Sequence, residues 1–217
     1  EMERHSVVLL VSVVMLLCVR GQQKEPTPWP TQFYAVIARN GTSEMGSGDL
    51  QTPVEAISKW YDYSTLSMRQ DCSFNGGTTS NIMVGRNCFI FSPIAEECIY
   101  VILPVPIVTP DWMVGGEYVG EDVVNGAPVS VFNKLDHLYY EGNLDGYPQR
   151  VFTPQDQNGF ANREDYGLFV PGSFDTSVFA IPPYCKRSVP YLNLTQNTPA
   201  DPIGCFVGVP HTPSPIS

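Results

Sequence analysis

The sequence predicts a mainly β fold, with antiparallel strands meandering through hairpins. Three observations carry this. Short stretches with apolar residues at every second position recur along the chain. Gly, Asn, Asp and Pro separate them. No stretch keeps an i, i+3, i+4 apolar repeat through three helical turns.

The elements follow in order. QFYAVIAR (32–39) alternates and is rich in β-formers, which predicts the first strand. A polar, glycine-rich loop covers 41–53. VEAISKWYDYS (54–64) and SMRQDCSF (67–74) are strands joined by a turn near Ser64–Leu66. NGGTTSN (75–81) is a turn, since Asn-Gly-Gly reaches positive φ cheaply. Short strands follow at 82–84, 88–92 and 98–104. A short helix is expected from Pro110, capped by Thr109 and ended by Gly115-Gly116. APVSVFNKLDHLYYEG (127–142) is one long alternating strand, and YPQRVFTP (147–154) is its hairpin partner across Asp145-Gly146. YGLFV (166–170) and SVFAIP (177–182) complete the set.

Residues 1–21 have the order of a secretory signal. Glu3, Arg4 and His5 precede an apolar run from Val7 to Val19, and cleavage is expected after Gly21. The run is nearer the ~7–15 residues of a signal core than the ~20 of a spanning helix. Residues 22–31 read as a flexible arm, 32–198 as a single β domain and 199–217 as a proline-rich tail. The formal net charge is -10, without a basic run, which argues against nucleic acid and anionic membrane as partners.

An exported chain forms disulfides. With Cys18 removed, Cys72 is expected to pair with Cys98 and Cys185 with Cys205. That leaves Cys88 over, available for a disulfide-linked dimer. Asn40-Gly41-Thr42 and Asn193-Leu194-Thr195 are glycosylation sequons in turn-rich surroundings.

The elements of catalysis are missing from the pattern. There is no G-x-S-x-G elbow, no phosphate loop and no calcium loop. His137 and Asp136 are neighbours on a strand and point to opposite faces. Glu96-Glu97 and Glu121-Asp122 read as solvated surface, because a glycosidase needs carboxylates facing across a sugar. No metal or cofactor is expected, and the chain is read as a non-enzyme. Trp112 and Met113 instead stand in a loop, where bulky apolar side chains must cover the open end of a sheet or a ligand held there.

One resemblance runs through that loop. The chain carries Pro110-Asp111-Trp112, Tyr118-Val119-Gly120, Asn125-Gly126, Phe132-Asn133-Lys134, Tyr139-Tyr140-Glu141 and Gly146-Tyr147-Pro148 in that order. Upstream, Tyr61-Asp62 precedes Arg69 and Cys72. Over roughly Gln32 to Cys185 this resembles a eukaryotic secreted family of ependymin-related, LolA-like proteins. The resemblance implies a curved, incompletely closed antiparallel half-barrel with one or two short helices and an apolar hollow. It implies binding of a hydrophobic, lipid-like molecule, with Trp112, Met113, Tyr118, Phe132 and Tyr139 as the contacts. Val129 and Phe132 stand where family members usually carry Cys and Trp, and losing that Cys accounts for the odd cysteine count. Two other classes stay open, the first favoured by the sequons, acidity, spare cysteine and proline-rich tail, the second without a visible nucleotide-sugar element. One is a structural or adhesive glycoprotein with a matrix or cell-surface partner; the other is a glycan-processing enzyme.

Overall fold

The computed structural model describes residues 24–43, 55–74, 77–153, 160–185 and 190–193. They form a single twelve-stranded sheet in the order β12-β6-β5-β4-β3-β2-β1-β11-β10-β9-β8-β7. The strands are β1 Gln32–Ser43, β2 Glu55–Asp62, β3 Ser67–Phe74, β4 Gly77–Val84, β5 Asn87–Ser92 and β6 Glu97–Ile102. They continue with β7 Glu117–Val124, β8 Ala127–Lys134, β9 His137–Gly142, β10 Pro148–Thr153, β11 Phe160–Pro171 and β12 Pro190–Asn193.

Two meanders, β1 to β6 and β7 to β11, are fused where β1 pairs with β11. All pairs are antiparallel except β12, which runs parallel to β6. Neither β7 nor β12 pairs with the other, so the sheet is open rather than a closed barrel. Among the described residues helix is of the 3-10 kind only, in turns at Tyr63–Thr65 and Thr176–Phe179, each capped by an aspartate side chain, Asp62 or Asp175, and again at Cys185.

The strand order demands curvature. β6 and β7 lie ten strand spacings apart, ~48 Å on a flat sheet. The connection between them, about 14 residues, reaches at most ~50 Å when fully extended. It is not extended, because Trp112, Val114 and Gly116 donate back to the carbonyls of Thr109, Asp111 and Met113. The sheet must therefore curl for this segment to cross it. The curled face buries one continuous core of Phe33, Ile37, Ile57, Tyr61, Met68, Met83, Cys88, Val101, Phe132, Tyr139 and Val151, into which Leu103, Ile107 and Met113 of the crossing segment insert. We call this the inner face. On the outer face a smaller cluster of Ile82, Phe91 and Cys185 packs with Val84, Phe89, Ile181 and Tyr184.

Several sequence expectations are corrected. The stretch 127–142 is two strands, not one, because Leu135 (φ 51) and Asp136 (φ 65) both turn left-handed. That two-residue geometry closes a hairpin even without glycine. Residues 77–81 belong to β4 rather than to a turn. Residues 177–182 contain a 3-10 turn instead of a strand. The segment after Pro110 is a chain of consecutive turns, not a helix. Residues 24–31, read as an arm, lie against the inner face, with Trp29 only 5% exposed. The backbones of Asn40 and Asn193 lie in β1 and β12 rather than in turns.

The disulfide pairing also differs. Cys98 bonds to Cys185, with Cα atoms 5.1 Å apart. Cys72 is disulfide-bonded too, but not to Cys98. Cys72 lies on β3 and Cys98 on β6, three strand spacings or ~14 Å apart across the sheet, beyond the ~7 Å a disulfide spans. Among the described residues Cys88 is the free thiol, as expected, yet it is fully buried, and burial pushes its pKa up to about 12. A thiol so enclosed and so weakly acidic is a poor partner for an intermolecular bridge. Residues 1–21, the tail and Cys205 lie outside the described residues.

Candidate functional site

The inner face is built by alternation. Opposite one another in register stand Phe33 and Tyr61, Met68 and Met83, Phe132 and Tyr139, and Tyr118 and Phe132. Each pair shares a face, so the pleat alone assembles an aromatic and sulfur-bearing lining.

Two irregular segments lie on this lining. In residues 24–31, Trp29 is the anchor. Its ring stands edge-on to Phe33 (5.4 Å), Tyr61 (6.1 Å) and Trp112 (5.5 Å). Its indole N–H donates to the Tyr139 hydroxyl at 3.1 Å. The second segment, 103–116, is tied to the first, since the Trp29 amide donates to the Pro110 carbonyl at 2.8 Å. It is tied to the sheet where the Tyr61 hydroxyl donates to the Val108 carbonyl at 2.7 Å. Gly116 is close-packed here, because a Cβ would stand 2.9 Å from the Met113 carbonyl oxygen.

The five residues expected to contact a ligand come together in this cluster. Trp112 is half-buried and stands edge-on to Tyr139 at 5.8 Å. Tyr118 is half-buried, 5.7 Å from Phe132. Met113, Phe132 and Tyr139 are buried. Burial pushes the Tyr139 and Tyr61 hydroxyls far above the usual phenol range, so both stay neutral, Tyr139 accepting from the indole and Tyr61 donating to the Val108 carbonyl. Sequence reading missed Trp29. The signal was present, for Trp29 sits between Pro28 and Pro30, and the rule applied to Trp112 applies to it equally.

Beside the aromatic cluster the inner face turns polar. Arg39 donates to Glu164 at 2.5 Å through Nη2 and at 3.2 Å through Nε, and Arg39 Nη1 lies 3.4 Å from Glu55. Lys59 Nζ stands 3.6 Å from Glu164 and 5.9 Å from the Tyr166 ring centre. Burial alone would raise the Glu164 pKa, but Lys59 and Arg39 outweigh it and hold the carboxyl below its ordinary range. Burial dominates at Glu55 and raises its pKa despite Arg39. Directly across the strands from Lys59 stand Gln70 and then Asn81.

His137 does not meet an acid. Its Nδ1 lies 3.2 Å from the Thr153 hydroxyl, and its ring stands 6.4 Å from Trp112. Among the described residues no three His, Cys, Asp or Glu side chains gather as metal ligands. No helix there is long and apolar enough to cross a membrane.

Solved structures place the fold among known ones. An uncharacterized conserved protein from Thermus thermophilus is 9% identical, with 74% of this chain and 91% of that one covered and a TM-score of 0.51. A LolA superfamily protein from Nitrosomonas europaea is 9% identical over 71% of this chain and 93% of its own, with a TM-score of 0.38. The Pseudomonas aeruginosa MucA/MucB complex is 11% identical over 71% of this chain and 56% of the matched one, with a TM-score of 0.39. No curated protein matches the chain. The match to a family spans residues 28–153, from Pro28 beside the indole anchor through the last residue of β10, and so takes in the latter half of the first segment on the inner face and all of the second. By that match, the chain belongs to the family described as a domain of unknown function, DUF8395.

Proposed function

We propose that this protein is a non-catalytic, exported binder of an apolar small molecule or lipid, received on the inner face. One observation carries the reading. Among the described residues, the aromatic lining of an open sheet is covered by two irregular segments, held by a handful of hydrogen bonds, rather than by a second sheet or an α-helix. Such a cover opens at lower cost than a strand ladder. A guest displacing it meets Phe33, Tyr61, Met68, Met83 and Tyr139, a lining both rigid and adaptable. The Cys98–Cys185 disulfide supports an oxidising compartment. The ependymin-like order of motifs supports the same assignment, and the ligand contacts at Trp112, Met113, Tyr118, Phe132 and Tyr139 belong to it.

Tryptophan emission tests the reading, because Trp29 and Trp112 lie within the covering segments and touch each other. Titration with a fluorescent fatty-acid analogue should quench both indoles saturably and transfer energy to the probe. Absence of any saturable signal, with the protein folded, would sink the proposal.

A further inference from the structure

The polar stretch of the inner face holds an acceptor that nothing satisfies. Asn81 is 4% exposed, and its Nδ2 donates to Gln70 Oε1 at 3.2 Å. Its Oδ1 is buried without a hydrogen-bond partner. A buried carbonyl of this kind is costly to leave unmet and calls for an account. Across from Asn81 stands Ile90, and one pleat along the strand Met83 faces Met68. The orphan acceptor therefore stands at the junction between a polar row, Lys59–Gln70–Asn81, and an apolar one.

The acceptor's own chemistry restricts what can meet it. The buried cations Arg39 and Lys59 are engaged with Glu164 and, for Arg39, with Glu55 as well. A carboxylate only accepts, so it could not donate to Asn81 Oδ1, and burying it would cost its hydration. An uncharged hydroxyl can donate, and it brings no charge. Resting on the binding role proposed above, we infer that the guest is an uncharged amphiphile with a hydroxyl head, such as a monoacylglycerol or a long-chain alcohol. Its head donates to Asn81 Oδ1, and its chain lies against Met68, Met83 and Ile90.

The test compares 1-monooleoylglycerol with oleate on the full chain, by tryptophan quenching and by native mass spectrometry. Wild type should bind the monoacylglycerol about ten-fold tighter than oleate, the scale of one buried hydrogen bond plus an unwelcome charge. Asn81→Leu, close to Asn in shape, should weaken the monoacylglycerol by about five-fold and leave oleate unchanged. Asn81→Ser, which keeps an acceptor, should retain the preference and serves if the leucine variant does not fold. Equal or tighter binding of oleate, or a preference that survives Asn81→Leu, overturns the inference while leaving the binding role intact. Binding of neither lipid overturns both.

Discussion

At Leu135 a bulky residue holds a left-handed backbone (φ 51) while 85% exposed, so it gains little from packing to offset the conformation. Asp136 beside it sits at φ 65. The pair Asn125-Gly126 performs the same two-residue turn with residues suited to it. Replacing Leu135-Asp136 by Asn-Gly should stabilise the protein by about 1 kcal/mol, a rise of ~2–4 °C in a thermal melt. No rise would mean that the turn is held in that shape by other contacts. Glu164 makes a second test at this scale. Its folded pKa lies below the ordinary 4.5, so folding favours the carboxylate. That contribution is complete above the unfolded value and disappears as the pH falls through the folded one. Wild type should therefore lose stability in acid below pH 4.5. Glu164→Gln, which removes the carboxylate shared by the buried cations Arg39 and Lys59, should cost about 3 kcal/mol at neutral pH and flatten this part of the acid dependence. Chemical denaturation across pH reads both effects.

Among the elements, the covering segments and the outer strap behave differently from the strands. Hydrogen exchange should find 103–116 opening well before β1 to β3, since its ties are few. Trp29→Ala removes the ring contacts to Phe33, Tyr61 and Trp112 together with the hydrogen bond to the Tyr139 hydroxyl. It should cost about 3–5 kcal/mol and speed exchange across 103–116 specifically. On the outer face, Cys98–Cys185 fastens the segment after β11 over Ile82 and Phe91. A Cys98→Ser/Cys185→Ser pair should lose about 2–4 kcal/mol, read by urea denaturation, and expose that segment to protease. The elements also show where sequence patterns succeed. β3 was legible residue for residue, and β1, β2, β5, β6 and β10 nearly so, because half-burial writes alternation into each. The β8–β9 turn was hidden because it lacks glycine. β7 was hidden because Glu117, Gly120, Glu121 and Asp122 dilute its alternation on an exposed edge. β12 was hidden because it joins in parallel from far along the chain.

For the molecule as a whole, local pattern and long-range order separate cleanly. An antiparallel β fold could be read from periodicity, but the fusion of two meanders at β1 and β11 could not, since it joins the first strand to the eleventh. That fusion sends β6 and β7 to opposite ends and forces 103–116 across the inner face. The loop pair Trp112 and Met113 pointed to the covered face, while the polar row of Arg39, Lys59, Gln70, Asn81 and Glu164 was invisible, each member reading as an ordinary strand residue. The most direct test of the central claim, that the inner face receives an apolar guest beneath a displaceable cover, is native mass spectrometry of the protein purified from the medium of expressing cells. The account predicts a bound small-molecule mass that leaves on collisional activation and is absent in Phe132→Ala/Tyr139→Ala, which strips the sheet face itself. A clean unliganded mass, unchanged after incubation with lipid, would contradict it.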